Sequence, residues 1–94
     1  MALPHDHGVR SIAFSSNGKL LASATNDDDS NDEGGEVRLW DPANWKELTR
    51  KSGWKALVWR IAFAPNSKTL AIGTWGKHGG VHFWDIGKNL EKNE

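Results

Sequence analysis

The sequence predicts an all-β fold of two four-stranded antiparallel sheets, stacked face to face. Three observations lead there. A segment of the first half recurs in the second half at a fixed offset. Each copy reads as short strands parted by turns, and no window shows a helical period. The strands carry apolar residues on both faces, which a sheet tolerates only when it is covered on both sides.

The repeat runs as follows. The segment from Val9 to Lys19, VRSIAFSSNGK, aligns with Val58 to Lys68, VWRIAFAPNSK, at an offset of 49 residues. The same offset holds for Leu21 and Leu70, Ala22 and Ala71, and Thr25 and Thr74. Val37 to Asp41 then aligns with Val81 to Asp85 at an offset of 44, so an insertion of 5 residues falls inside an acidic stretch. Residues 1–50 form the first unit and 51–94 the second.

Each strand has its own signal. Ile12 and Phe14 alternate with polar or small neighbours, and Ser16-Asn17-Gly18 then offers a turn that accepts positive φ. Leu20 to Thr25 is a second strand, with small Ala22 and Ala24 on one face and Leu21 on the other. Glu36 to Asp41 is a third, closed by Pro42, which cannot donate to a ladder. Trp45 to Arg50 is a fourth and more polar strand, suited to an edge. The second unit repeats the order at 58–64, 69–74 and 80–85, with 88–93 as a weaker fourth strand. Within the first strand, simple alternation puts Ile12 and Phe14 on one face and Val9 and Ala13 on the other. Four-stranded units of about 45 residues, apolar on both faces, are the signature of a β-propeller.

Composition narrows the function. The 94 residues amount to one domain. Twelve Lys and Arg against twelve Asp and Glu leave no net charge, so nothing favours nucleic acid or an anionic membrane. With no cysteine there is neither a disulfide nor a thiolate ligand or nucleophile. Apolar runs are only a few residues long, so no membrane span or signal-peptide core is expected, and the default location is cytoplasmic or recombinant soluble rather than secreted. Six Trp and three Phe with no Tyr make large rigid side chains the compositional anomaly.

Two copies of a longer pattern carry a family resemblance. HDHGVRSIAFSSNGKLLASATND…GEVRLWD and VWRIAFAPNSKTLAIGT…GGVHFWD resemble the WD40 repeat family over nearly the whole chain. The resemblance implies a buried hydrogen-bonded tetrad in the first blade: His5, Ser23, Asp27 and Trp40. The same positions of the second blade hold Trp54, Ile72, Gly76 and Trp84, where only the last tryptophan is kept. Losing the polar partners together is sensible, because one unpaired buried donor or acceptor costs about 1–3 kcal/mol. His5, Ser23 and Asp27 are also the ingredients of a catalytic triad. A triad needs an exposed nucleophile beside an oxyanion hole, however, and Ser23 lies in mid-strand. The tetrad is read as structural, with no catalytic residue and no enzyme activity.

The stretch NDDDSNDEGG, residues 26–35, holds five of the twelve acidic side chains. Counted from Asp27, an EF-hand loop would find oxygen ligands at Asp27, Asp29 and Asn31, the weak metal candidates of this chain. The required glycine is replaced by Asp32 and the closing glutamate by Arg38, and no helices flank the loop. It is read as a solvated hairpin extension with self-repelling charges, and no cofactor is expected. The resemblance implies that Asp28, Asp29, Asp32 and Glu33 share one propeller face with Trp54, Trp75 and His78, a surface for an unidentified protein partner. Trp59, on an inner strand, is expected to be packed, and Trp45, on an outer one, half exposed. His7, His78 and His82 lack the spacing of a zinc site.

Propellers close with typically four to eight blades, and two are written here. Blade one on blade two leaves a different apolar face bare at each end, so copies would meet head to tail and close into a ring. The chain resembles a unit of a computationally designed symmetric propeller. That favours a homotetramer of eight blades over a trimer of six. A fragment of a natural WD40 protein-interaction module is the alternative origin.

Overall fold

The computed structural model describes residues 2–3, 8–26, 35–54, 57–76 and 79–87. Within them the chain forms two antiparallel sheets. The first orders β1 (Val9–Phe14), β2 (Leu21–Thr25), β3 (Gly35–Asp41) and β4 (Lys46–Trp54), each beside its chain neighbour. The second orders β5 (Leu57–Phe63), β6 (Thr69–Trp75) and β7 (Gly80–Asp85) in the same way. The expected fourth strand at 88–93 lies outside the described residues.

Turn chemistry sets the first hairpin of each sheet. Gly18 takes φ 72° and its N–H donates to the Ser15 carbonyl at 2.9 Å. The matching Ser67 takes φ 59° and donates to Ala64 at 3.0 Å. A side chain in that left-handed region costs about 1 kcal/mol. The Ser67 hydroxyl lies 2.8 Å from that of Ser16, a contact that offsets the strain.

Strand four departs from its expected bounds. Trp45 is not a strand residue: it takes φ 57° and its N–H donates to Asp41 O at 2.6 Å, closing the turn. The strand therefore starts at Lys46 and runs on to pair Trp54 with Gly35. Residues 51–54 thus belong to the first sheet, beyond the unit boundary placed after residue 50.

A bulge in each inner strand changes which face is which. Val9 pairs with Thr25 and Ser11 with Ala24, leaving Arg10 as the extra residue. Val58 pairs with Thr74 and Arg60 with Gly73, leaving Trp59 extra. One added residue in a period-two strand reverses the facing of everything before it. Val9 therefore shares the face of Ile12 and Phe14, not that of Ala13 as alternation predicts. Val58 likewise joins Ile61 and Phe63.

The core lies between the sheets. Ala22, Ala24, Val37 and Leu39 from the first meet Val58, Ile61, Leu70, Ile72 and Trp84 from the second, with Ala13 and Phe63 at the margin. Small alanines opposite large aliphatics let the sheets approach. Polar groups clasp the same seam. The Asn26 amide donates to Val58 O at 2.8 Å and accepts from Val58 N–H at 2.8 Å. Ser11 Oγ accepts from Ile61 N–H at 3.2 Å, and Ser16 Oγ donates to Pro65 O at 3.0 Å.

Candidate functional site

The Trp40 Nε1–H donates to Ser23 Oγ at 3.0 Å, and both residues are buried. His5 and Asp27, the other positions of the expected tetrad, lie outside the described residues. In the second sheet Ile72 and Trp84 are buried in the core, and Gly76 follows β6 with φ 121°. At Ser23's equivalent place Ile72 offers no acceptor. The Lys51 ammonium of the first sheet instead lies 5.9 Å from the Trp84 ring centroid. Trp54 pairs through its backbone with Gly35, and its side chain is outside the described set.

The acidic loop, Asp27 to Glu33 with Asn31, and His5, His7 and His78 also lie outside the described residues. Of the expected loop-face cluster, Trp75 alone is described, exposed at the end of β6. Among the described residues no three His, Cys, Asp or Glu side chains gather as metal ligands would. No helix there is long and apolar enough to cross a membrane.

What the described residues do assemble is a pair of apolar faces. On the outer face of the first sheet, Val9, Ile12 and Phe14 are 47%, 62% and 58% exposed. On the outer face of the second, Val81 and Phe83 are 64% and 71% exposed. The repeat gives each a counterpart in the seam between the sheets. Val9, Ile12 and Phe14 correspond to Val58, Ile61 and Phe63, and Val81 and Phe83 to Val37 and Leu39. Those counterparts are buried or, for Phe63, packed against the core. Of the eight large apolar side chains exposed among the described residues, these five are thus residues that the fold buries in their other copy. The outer face of sheet one has the pattern that sheet two turns inward, and the reverse also holds.

Charge borders the first face. Arg38, buried on β3, donates to Glu36 Oε1 at 2.7 Å, and Arg50 pairs with Glu47 at 2.8 Å. Longer pairs of 3.7 and 3.8 Å join them into one network. The burial of Arg38 is tolerable because its charge is met on site.

Three features were not foreseen. Trp59 is not packed as expected but 52% exposed, because the bulge turns it out of the seam. The Arg10 guanidinium covers its ring at 3.8 Å from the centroid. Asn26, counted with the acidic stretch, proves to be the clasp on Val58. The offset of 49 already matched Arg10 with Trp59, the signal that these positions are neighbours across the seam.

A family model described as WD domain, G-beta repeat, matches residues 2–41 and 45–85. Among solved structures, the computationally designed Ika4 protein is similar with TM-score 0.66 and 23% identity, over 89% of this chain and 44% of that one. The Cps50 (Swd1) β-propeller domain of Myceliophteria thermophila is similar with TM-score 0.67 and 20% identity, over 83% of this chain and 23% of that one. The chain thus spans less than half the length of either structure.

Proposed function

The chain belongs to the WD40 repeat family, and from that premise we propose that it is a self-assembling propeller scaffold whose ring is completed by further copies of itself. One observation carries this reading: the large apolar residues of each bare outer face, Val9, Ile12 and Phe14 on one and Val81 and Phe83 on the other, stand at the repeat positions that the chain buries between its own two sheets. A second copy can therefore dock by reproducing the seam already present, head to tail. Repeating that step closes a ring when whole blades fit the turn. Four copies and eight blades are favoured over three and six, on the resemblance to designed symmetric propellers. We further propose that the protein has no catalytic activity. The one serine with the family's tetrad placement, Ser23, is buried and accepts from Trp40, so its oxygen is a packing group rather than a nucleophile. His5 and Asp27 are proposed to extend that hydrogen-bond chain.

Sedimentation velocity from nanomolar to micromolar concentration tests the scaffold. A single species several times the chain's 10.4 kDa supports it. A compact monomer at every concentration overturns it, and a polydisperse aggregate favours a piece of a longer propeller whose neighbouring blades are missing.

A further inference from the structure

We propose that the Arg10–Trp59 contact inside the chain is repeated between chains, so that the inner rim of the ring carries an unbroken belt of alternating arginine and tryptophan. The inference rests on the scaffold reading above and adds the residues that stitch the copies together.

The two side chains stand at the same place in the repeat. Each is the extra residue of a bulge in the inner strand, β1 or β5, at the edge of its sheet. Bulges re-aim side chains, and both are exposed here rather than tucked into the seam. Within the chain, position 10 of the first blade stacks on position 59 of the second, guanidinium to ring, at 3.8 Å from the centroid. In a ring the next seam sets the second blade of one copy against the first blade of another. The pair that meets there is again position 59 with position 10, in reverse order. Trp59 has two faces, and it remains 52% exposed with Arg10 on it. The arginine of the following copy takes the second face, so each indole is held between two guanidiniums and each guanidinium between two indoles. Arginine suits this place because its planar, weakly hydrated cation stacks on aromatic faces.

The rest of the copy seam explains why such a stitch is needed. Inside the chain the seam is clasped by Asn26 on Val58, Ser11 on Ile61 and Ser16 on Pro65. The repeat places Trp75, Arg60 and Pro65 where those three donors and acceptors would be in the copy seam, and none can make the same bond. The copy seam is more aromatic and less hydrogen-bonded, and the Arg–Trp contact is a directional interaction both seams share.

Charge-swapped chains test this. Trp59→Arg and Arg10→Trp are made separately, and sedimentation is measured for each chain and for their equimolar mixture, with the wild type as reference. W59R puts guanidinium against guanidinium at every seam, and R10W puts indole against indole. W59R alone should assemble roughly two- to tenfold more weakly than wild type, through loss of the cation–π contact and gain of a like-charge pair, whereas R10W exchanges that contact for aromatic stacking and loses less. In the mixture, alternating W59R and R10W chains restore an arginine–tryptophan pair at every copy seam of a four-copy ring, and at two of the three seams of a three-copy one, while leaving the mismatched pairs within chains. Recovery of assembly on mixing supports the belt. Assembly of W59R at wild-type strength overturns it, and so does weakened W59R assembly that adding R10W fails to restore, because the pair then acts only within a chain. A wild type that never assembles removes the ring itself, a failure read before any variant is compared. If circular dichroism shows either variant unfolded, Trp59→Lys and Arg10→Phe replace them in the same mixture, with the same outcomes.

Discussion

Phe83 and Leu39 occupy the same place in the two repeats, yet their truncation should have opposite consequences. Leu39 is fully buried between the sheets. Leu39→Ala removes its transfer energy and leaves a cavity, about 2–5 kcal/mol of protomer stability. Phe83 keeps 71% of its surface in solvent within the chain, so Phe83→Ala should leave the protomer nearly as stable as before. Fully burying a phenylalanine is worth about 1.5–3 kcal/mol, and most of that gain is still to come when a second copy arrives. About 1–2 kcal/mol should therefore be lost at each copy seam, a 5- to 30-fold weaker seam by about 1.4 kcal/mol per tenfold. Urea denaturation followed by circular dichroism at low concentration reads the protomer, and sedimentation over a concentration series reads the seam. F83A should move only the second and L39A mainly the first. Equal loss of protomer stability in the two variants, or unchanged assembly of F83A, would refute the equivalence of exposed and buried faces.

Three other expectations follow from the same geometry. Ser23→Ala removes the acceptor of the Trp40 indole N–H and should cost about 1–3 kcal/mol by urea denaturation; an unchanged midpoint contradicts the buried pair. Asn26→Ala leaves Val58 N–H and C=O without their partners across the seam and should cost a similar 1–3 kcal/mol or so, whereas Asn26→Asp should recover part of it through the Val58 N–H alone. Deleting Asp28 to Glu33 should leave both sedimentation and calcium response unchanged. Loss of the oligomer would make the loop an interface, and a melting temperature that rises with millimolar calcium in the full chain but not in the deletion would make it a cation site.

Much of the fold was legible because the repeat carries it. Ala22 and Ala24 are expected together on one face with Leu21 on the other, and the two alanines do face the second sheet while Leu21 faces away. The Ser16-Asn17-Gly18 turn takes the positive φ that its glycine permits. What escaped detection was local and geometric. A bulge adds one residue without changing composition, so simple alternation put Val9 on the wrong face, and Trp59, expected to be packed because it lies on an inner strand, is turned outward. Pairing with Gly35 extends the fourth strand past its polar run, and nothing in residues 51–54 alone requires a strand there. Which residues line the bare faces became readable only once burial separated Val37 and Leu39 from Val81 and Phe83, residues of the same kind at the same repeat positions.

A native mass spectrum at micromolar concentration puts the central claim to the most direct trial. It should show one closed species at four times the 10.4 kDa chain, with no series of longer oligomers. Three times the chain mass would keep the seam and change the ring. A spectrum of folded single chains, with the narrow charge distribution of a compact protein, would mean that the bare faces need no second copy.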